Sequence, residues 1–445
     1  MEITLEKKLP GSGQLFLPEP QTVAETGLDF GLILDLTLKT IYYGGRPSAR
    51  TICERICLPF SIMEGVLDYL RTQELIDIVG SKGVLEQDYQ YNLTSKGMSR
   101  TQEALEQSLY VGPAPVPFDL YEDVVLRQGI ANLDASPENL ALAFKDLVLA
   151  EETVEQIGTA VGSGRSLFIY GPPGNGKSTI AECIVRLLSE LVNIPYAIEV
   201  FGQVVRVHDP RVHLAADMQI LEEDHTAAIT AERELTTESD GRDKRWALSR
   251  RPLIIGGGEV TLADLELRYS PISKFYVAPL QIKANNGVLV IDDFGRQLVR
   301  PDELLNRWMV PMDRNIDHLV FETGETVTVP FDVLLIFATN LAPSQLGDEA
   351  FYRRIRHKVR ISDPDIHLFK EILRKVASKH RISYDEETAD YLIDTYYKKV
   401  GRPFRGVHPR DLFDLIKDMA KFRGETPQFS PAWIDRASRS YFIED

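Results

Sequence analysis

The chain has 445 residues, enough for two or three domains, and 44% of them are hydrophobic, which excludes a disordered or fibrous protein. Its 50 basic and 66 acidic residues give a formal charge of −16, so the field of the whole molecule does not attract nucleic acid or anionic membrane, and any such binding needs a local basic patch. Cys53, Cys57 and Cys183 are too few for a disulfide framework, Met1 to Pro10 lacks a signal-peptide core, and no run approaches the roughly 20 apolar residues of a membrane span, so a reduced, cytoplasmic chain with no membrane insertion is expected.

Residues 1–20 carry Pro10, Gly11, Gly13, Pro18 and Pro20 and are expected as a flexible arm. Over residues 21–111 the pattern predicts a helix from Leu28 to Ile41, a second over Ala49 to Cys57 capped by Ser48, and a third from Ser61 to about Gln73. Two strands near Leu75 to Val79 and Tyr89 to Leu93 flank a Gly-Ser-Lys-Gly turn, and Thr94 opens a fourth helix. Three helices, a hairpin and a closing helix make a winged helix-turn-helix, and Tyr91 to Gly97 resembles the end of the wing in bacterial winged-helix regulators. That resemblance implies DNA binding. The third helix, however, holds Glu64 and Asp68 against Arg71, with Glu74 just after it, where a reading helix needs Arg, Lys, Asn or Gln, so a protein-docking or autoregulatory role is the preferred expectation and DNA the alternative.

Gly112-Pro113-Ala114-Pro115-Val116-Pro117 opens a proline-rich linker, residues 112–135, expected to act as a semi-rigid spacer. Helices are expected over Pro137 to Glu152 and Thr153 to Val161.

Ser166 to Glu182 is the most informative stretch. Gly171, Gly176, Lys177 and Ser178 fit the phosphate-loop pattern, after an apolar strand (Leu167 to Tyr170) and before a helix expected from Ser178 to Val192. Gly171, Pro172, Pro173, Gly174, Asn175, Gly176, Lys177, Ser178 and Thr179 would curl backbone N–H groups around a triphosphate at a helix N-terminus. Lys177 would reach the β- and γ-phosphates of ATP, and the Ser178 hydroxyl would ligate Mg²⁺.

Tyr196 to Val207 reads as two strands around Gly202, and the acidic Leu221 to Asp240 as a solvated loop or exposed helix. Arg242, Lys244, Arg245, Arg250 and Arg251 surround Trp246; they could grip nucleic acid or a neighbouring subunit, or form a charged loop edge with one packed Trp. Gly287 to Ile291 is a strand apolar on both faces that delivers Asp292 and Asp293 to the carboxyl edge of a parallel sheet. Asp292 would hold Mg²⁺ and Asp293 would polarise the attacking water. Val333 to Thr339 repeats the pattern and ends at Asn340, which can orient that water.

Gly171 to Ser178, Asp292-Asp293 and Asn340 resemble Walker A, Walker B and sensor 1 of the AAA+ ATPases. Arg353 and Arg354 stand where that family places its arginine finger, Arg354 being preferred because it directly precedes an apolar residue, and Gly406 to Leu412 resembles sensor 2, with Arg410 reaching the γ-phosphate. The resemblance covers about residues 136–445 and implies an α/β three-layer core (136–362) with a parallel sheet and a helical lid (363–445). It also implies a homo-oligomeric, hexameric ring hydrolysing Mg²⁺-ATP to remodel an unidentified protein client, or alternatively a DNA-associated ATPase. The run Leu319 to Val329, an expected β-hairpin, resembles the branch holding MoxR-type chaperones, magnesium chelatases and enhancer-binding activators. One departure is Asp293, where AAA+ proteins usually have Glu: a carboxylate set back by roughly 1.5 Å can cost about a hundredfold in rate, so slow hydrolysis is a further expectation.

Overall fold

The computed structural model describes residues 15–130, 135–164, 166–188, 190–215, 241–342 and 355–442. The centre of the chain is a five-stranded parallel sheet in the order His357–Arg360, Leu167–Tyr170, Val333–Thr339, Gly287–Ile291, Leu253–Gly256. The strand that enters the phosphate loop therefore lies beside the strand that ends at Asn340, and that strand lies beside the one that ends at Asp292.

The apolar runs of these strands follow from burial on both sides. Leu167, Ile169, Val288, Val290, Leu334 and Ile336 pack with Ile157, Val161, Ile180 and Ile184 on one face. Phe168, Leu289, Ile291, Leu335 and Phe337 pack with Leu304, Leu305 and Trp308 on the other. The alternation is the period of two that a strand imposes, and the two helical layers make an α/β sandwich.

The helix after the phosphate loop is shorter than the sequence pattern suggests. It spans Lys177–Val185, and Leu191–Pro195 instead pairs antiparallel with Trp246–Arg250. Valine and isoleucine at the end of a helical pattern suit a strand equally well, and the partner strand lies too far along the chain to be read locally.

Toward the N-terminus, helices Phe30–Gly44, Ala49–Ile56 and Phe60–Thr72 lead into a hairpin of Ile76–Ser81 with Tyr89–Leu93 and a closing helix, Ser95–Gln107. Asp29, Ser48 and Thr94 accept backbone N–H bonds at the starts of three of these helices. This is the element order of a winged helix.

Residues 112–117 do not run free as a spacer. Ala114 and Val116 are fully buried, the Ala114 N–H donates to the Ile56 carbonyl at 2.6 Å, and Val116–Pro117 adds a parallel strand beside Ala197–Val200. Proline is tolerated there because this is the edge strand of a second, five-stranded mixed sheet, whose order continues through Gln203–Arg206, Phe275–Val277 and Arg268–Ser270. Ala197 and Val204 of that sheet belong to the apolar core of these N-terminal helices, so the two parts share apolar packing. The expected hairpin is also present, Ile316–Val320 with Thr326–Pro330, and it packs Leu319, Phe321, Val327 and Val329 against the same second sheet.

The C-terminal region is helical: Ile366–Lys379, Glu386–Ile393 continued by a π-helical turn at Asp394–Lys398, Val407–Arg423 and Pro431–Tyr441. No helix among the described residues is long and apolar enough to cross a membrane.

Candidate nucleotide site

The phosphate loop takes its shape from three glycines with positive φ: Gly171 at 148°, Gly174 at 80° and Gly176 at 77°. At Gly171 a Cβ would stand 2.1 Å from the Ile361 carbonyl, so no other residue fits that close crossing of backbones. Gly176 then caps the Lys177–Val185 helix, whose first N–H groups are left without intrahelical partners and favour an anion.

The side chains expected at the site converge. Lys177 Nζ donates to the Gly171 and Pro172 carbonyls at 3.0 and 2.9 Å and to Asn340 Oδ1 at 2.6 Å. Asn340 Nδ2 donates in turn to Asp293 Oδ1 at 3.0 Å. The Ser178 hydroxyl donates to Asp292 Oδ2 at 2.5 Å. Burial holds the Lys177 ammonium below the ordinary lysine range, against the pull of Asp292 and Asp293.

Asp293 sits at φ 46°, left-handed for a non-glycine residue, and its backbone N–H donates to Asp292 Oδ1 at 2.8 Å. The chain is anchored there by Phe294 N–H to the Ala338 carbonyl at 2.8 Å and by Thr339 Oγ1 to the Phe294 carbonyl at 2.6 Å. Gln297 Nε2 also donates to the Asp292 carbonyl at 2.9 Å. A left-handed turn fixed on both sides thus aims two successive carboxylates at the phosphate loop.

Ser178 and Asp292 present two hard oxygen donors at one point, a set that suits Mg²⁺, whose remaining ligands are normally phosphate oxygens and water. Bound there, the ion would neutralise phosphate charge. Among the described residues no three His, Cys, Asp or Glu form a separate metal cluster. Thr179 is partly exposed on the first turn of the helix.

Three further residues, all arginines, are expected at the site. Arg353 and Arg354 lie outside the described residues. Arg410 is exposed on the Val407–Arg423 helix, and its Nε donates to the adjacent Asp411 at 3.3 Å. The lid residue that approaches the phosphate loop is Arg405: it pairs with Asp363, and its charge adds to the lowering of the Lys177 pKa. Asp363 also accepts from Asn175 Nδ2 at 2.7 Å, while Asn175 Oδ1 accepts the Gly406 N–H at 2.9 Å and the Gly174 carbonyl accepts the Val407 N–H at 2.8 Å. The lid is clamped to the loop through residues that the sequence pattern does not single out. Asn175 was visible as one polar position within the loop, but no local signal marks Asp363 or Arg405.

The basic run at 242–251 is structural in its two most buried members. Arg245 and Asp243 form an ion pair with side chains only 1% and 3% exposed, and Arg245 also donates to the Thr26 carbonyl at 2.8 Å. Arg251 donates to the Gln128 and Asn286 carbonyls at 2.9 Å each, and Trp246 is buried. These guanidiniums tie segments together and are not available to grip nucleic acid. The Leu221 to Asp240 stretch lies outside the described residues.

The strand order, the loop and its converging side chains define a phosphate-loop nucleotide-binding core. Residues 365–440 match a family described as a domain of unknown function (DUF8689). No curated protein matches the chain. Among solved structures the chain is similar to a RuvB point mutant from Thermotoga maritima, with a TM-score of 0.39 and 15% identity over 69% of this chain and 74% of that one. It is similar also to the T. maritima RuvB Holliday junction branch migration motor, with a TM-score of 0.34 and 14% identity over 69% and 70% of the two chains. A third is NtrX from Brucella abortus in complex with ADP, at 0.37 and 15% over 66% of this chain and 56% of that one.

Proposed function

We propose that the chain is an AAA+-type ATPase that hydrolyses Mg²⁺-ATP in a homo-oligomeric, hexameric ring and uses the cycle to remodel a partner protein. The observation that carries this reading is the hydrogen-bonded series Lys177, Asn340, Asp293, with Ser178 and Asp292 beside it, at the carboxyl edge of the sheet. Gly171 to Thr179 would hold the phosphates, and Lys177 would exchange its loop carbonyls for the β- and γ-phosphate oxygens. Asp293, held by Asn340, would take a proton from water as the water oxygen attacks the γ-phosphorus and the bond to the β-phosphate oxygen breaks, releasing ADP and phosphate. Arg353 or Arg354 of a neighbouring subunit would meet the charge that develops, which makes turnover depend on assembly. The Asn175, Asp363 and Arg405 contacts give the lid a direct route to the loop, with Arg410 a second lid arginine on the same helix start.

The winged-helix element order favours a second reading, an ATPase positioned on DNA, and the exposed Glu64 and Asp68 of the third helix, with Glu74 just after it, oppose it. ATP hydrolysis measured with and without duplex DNA at two salt concentrations separates them. Unchanged rates support the protein-remodelling reading, and strong, salt-sensitive stimulation overturns it in favour of DNA.

A further inference from the structure

The hairpin of the N-terminal region carries apolar side chains that are exposed among the described residues. Val84 is 98% exposed, Leu85 60%, Val79 45% and Ile78 38%, and Tyr69 of the preceding helix is 44% exposed. Tyr69 packs edge-on against Phe30 at 5.3 Å, but Val84 and Leu85 are adjacent at the turn of the hairpin, and a pair of large apolar side chains exposed to that extent marks a contact surface. The same elements carry Glu64, Glu74, Asp77 and Glu86, all exposed and none in an ion pair among the described residues, whereas Asp68 is answered within its own helix by Arg71 at 3.2 Å. The end of the helix is held to the base of the hairpin: the Leu75 N–H donates to the Leu70 carbonyl at 2.9 Å, and the Thr94 hydroxyl donates to the Glu74 carbonyl at 2.7 Å. Of the bases nearby, Lys82 lies in the turn of the hairpin, Arg50 pairs with Asp88 at 3.7 Å, and Lys96 of the next helix is spent on the Gln73 carbonyl at 2.8 Å.

We propose that the exposed face of the Phe60–Thr72 helix and the Ile76–Leu93 hairpin is a docking surface for a basic, apolar protein segment, whose aliphatic side chains cover Val84 and Leu85 and whose Lys or Arg residues meet Glu64, Glu74 and Glu86. The apolar anchors supply the affinity, and the acids set orientation and exclude nucleic acid. The surface stands apart from the nucleotide site, so the inference holds whether or not the ATPase reading does.

The test uses the full chain without nucleotide and a fluorescent peptide with Leu at helical spacing and Lys or Arg elsewhere, read by anisotropy at about 0.15 M salt. The expected result is binding that falls at least tenfold in Val84→Ser with Leu85→Ser and, separately, in Glu64→Lys with Glu74→Lys. The pair Glu151→Lys with Glu155→Lys, an equal charge change on another helix, should leave affinity within twofold. No binding, or equal loss in the control pair, overturns the proposal. Two other outcomes also overturn it: duplex DNA binding that the hairpin variants abolish, and an oligomer that those variants dissociate in light scattering, which would assign the face to a second copy of this chain.

Discussion

Asn340 Nδ2 donates to Asp293 Oδ1 at 3.0 Å, across two strands that are neighbours in the sheet but separated by the helix Pro301–Arg314 and a hairpin in sequence. Because Asn340 also accepts from Lys177, one side chain holds both the Lys177 ammonium and the Asp293 carboxylate. Asn340→Ala is therefore expected to lower turnover about a hundredfold through lost positioning, with a smaller change in ATP affinity. Steady-state hydrolysis together with calorimetry checks this, and equal losses in both quantities would make Asn340 a binding residue only.

The buried pair Arg245 and Asp243 gives a stability prediction away from the site. Arg245→Ala leaves the Asp243 carboxylate buried without its partner and removes the bond to Thr26, so unfolding free energy should fall by about 3 to 5 kcal/mol. Urea denaturation reads this directly. A change near zero would place Arg245 outside the framework that joins the N-terminal region to the core.

Two buried histidines are expected to weaken the fold in acid. Burial holds His213 at about 4, and burial followed by the charges of Arg402 and Arg405 holds His408 at about 4, both below the ordinary 6.5. The unfolded chain binds more protons than the folded one between those values, so stability is full above about pH 6.5 and falls as pH drops toward about 4. His408 Nδ1 lies 3.0 Å from the Tyr397 hydroxyl, at the start of the lid helix that touches the phosphate loop. The thermal midpoint should drop between about pH 7 and about pH 5, and less steeply in His408→Asn. An equal slope in that variant would remove His408 from the account.

Arg354→Ala is expected to keep ATP binding and lose about 10³-fold in turnover, the scale of an arginine finger. Mixing it with a Lys177→Ala chain should restore some activity, since each can complete the other's interface. If no mixture recovers activity while both variants assemble, the arginine acts within its own subunit.

The nucleotide core was legible in the sequence because its signals are local. Gly171, Gly174 and Gly176 declare a positive-φ loop, and the uninterrupted apolar runs at Gly287–Ile291 and Val333–Thr339 declare strands buried on both faces. Contacts between distant segments were not legible. Val116–Pro117 reads as linker because proline argues against a strand, yet an edge position accepts it beside Ile198 and Glu199. Arg245 and Arg251 read as a basic patch because nothing local reveals that Glu190 and the carbonyls of Thr26, Gln128 and Asn286 enclose them. The approach of Arg405 to the loop depends on Asp363, about 40 residues away, and spacing over that distance carries no period to read.

Asp293 is proposed as the catalytic carboxylate of a working ATP site. Its left-handed backbone and its bond to Asn340 fit a pocket shaped around the shorter side chain. The deciding measurement is steady-state hydrolysis by Asp293→Asn and Asp293→Glu at saturating Mg²⁺-ATP, with ATP affinity measured alongside. The account predicts that Asp293→Asn binds ATP and nearly abolishes turnover, while Asp293→Glu lowers it by crowding the phosphates. An Asn variant as active as the wild type would contradict the assignment of Asp293, and a faster Glu variant would show that the native site is attenuated.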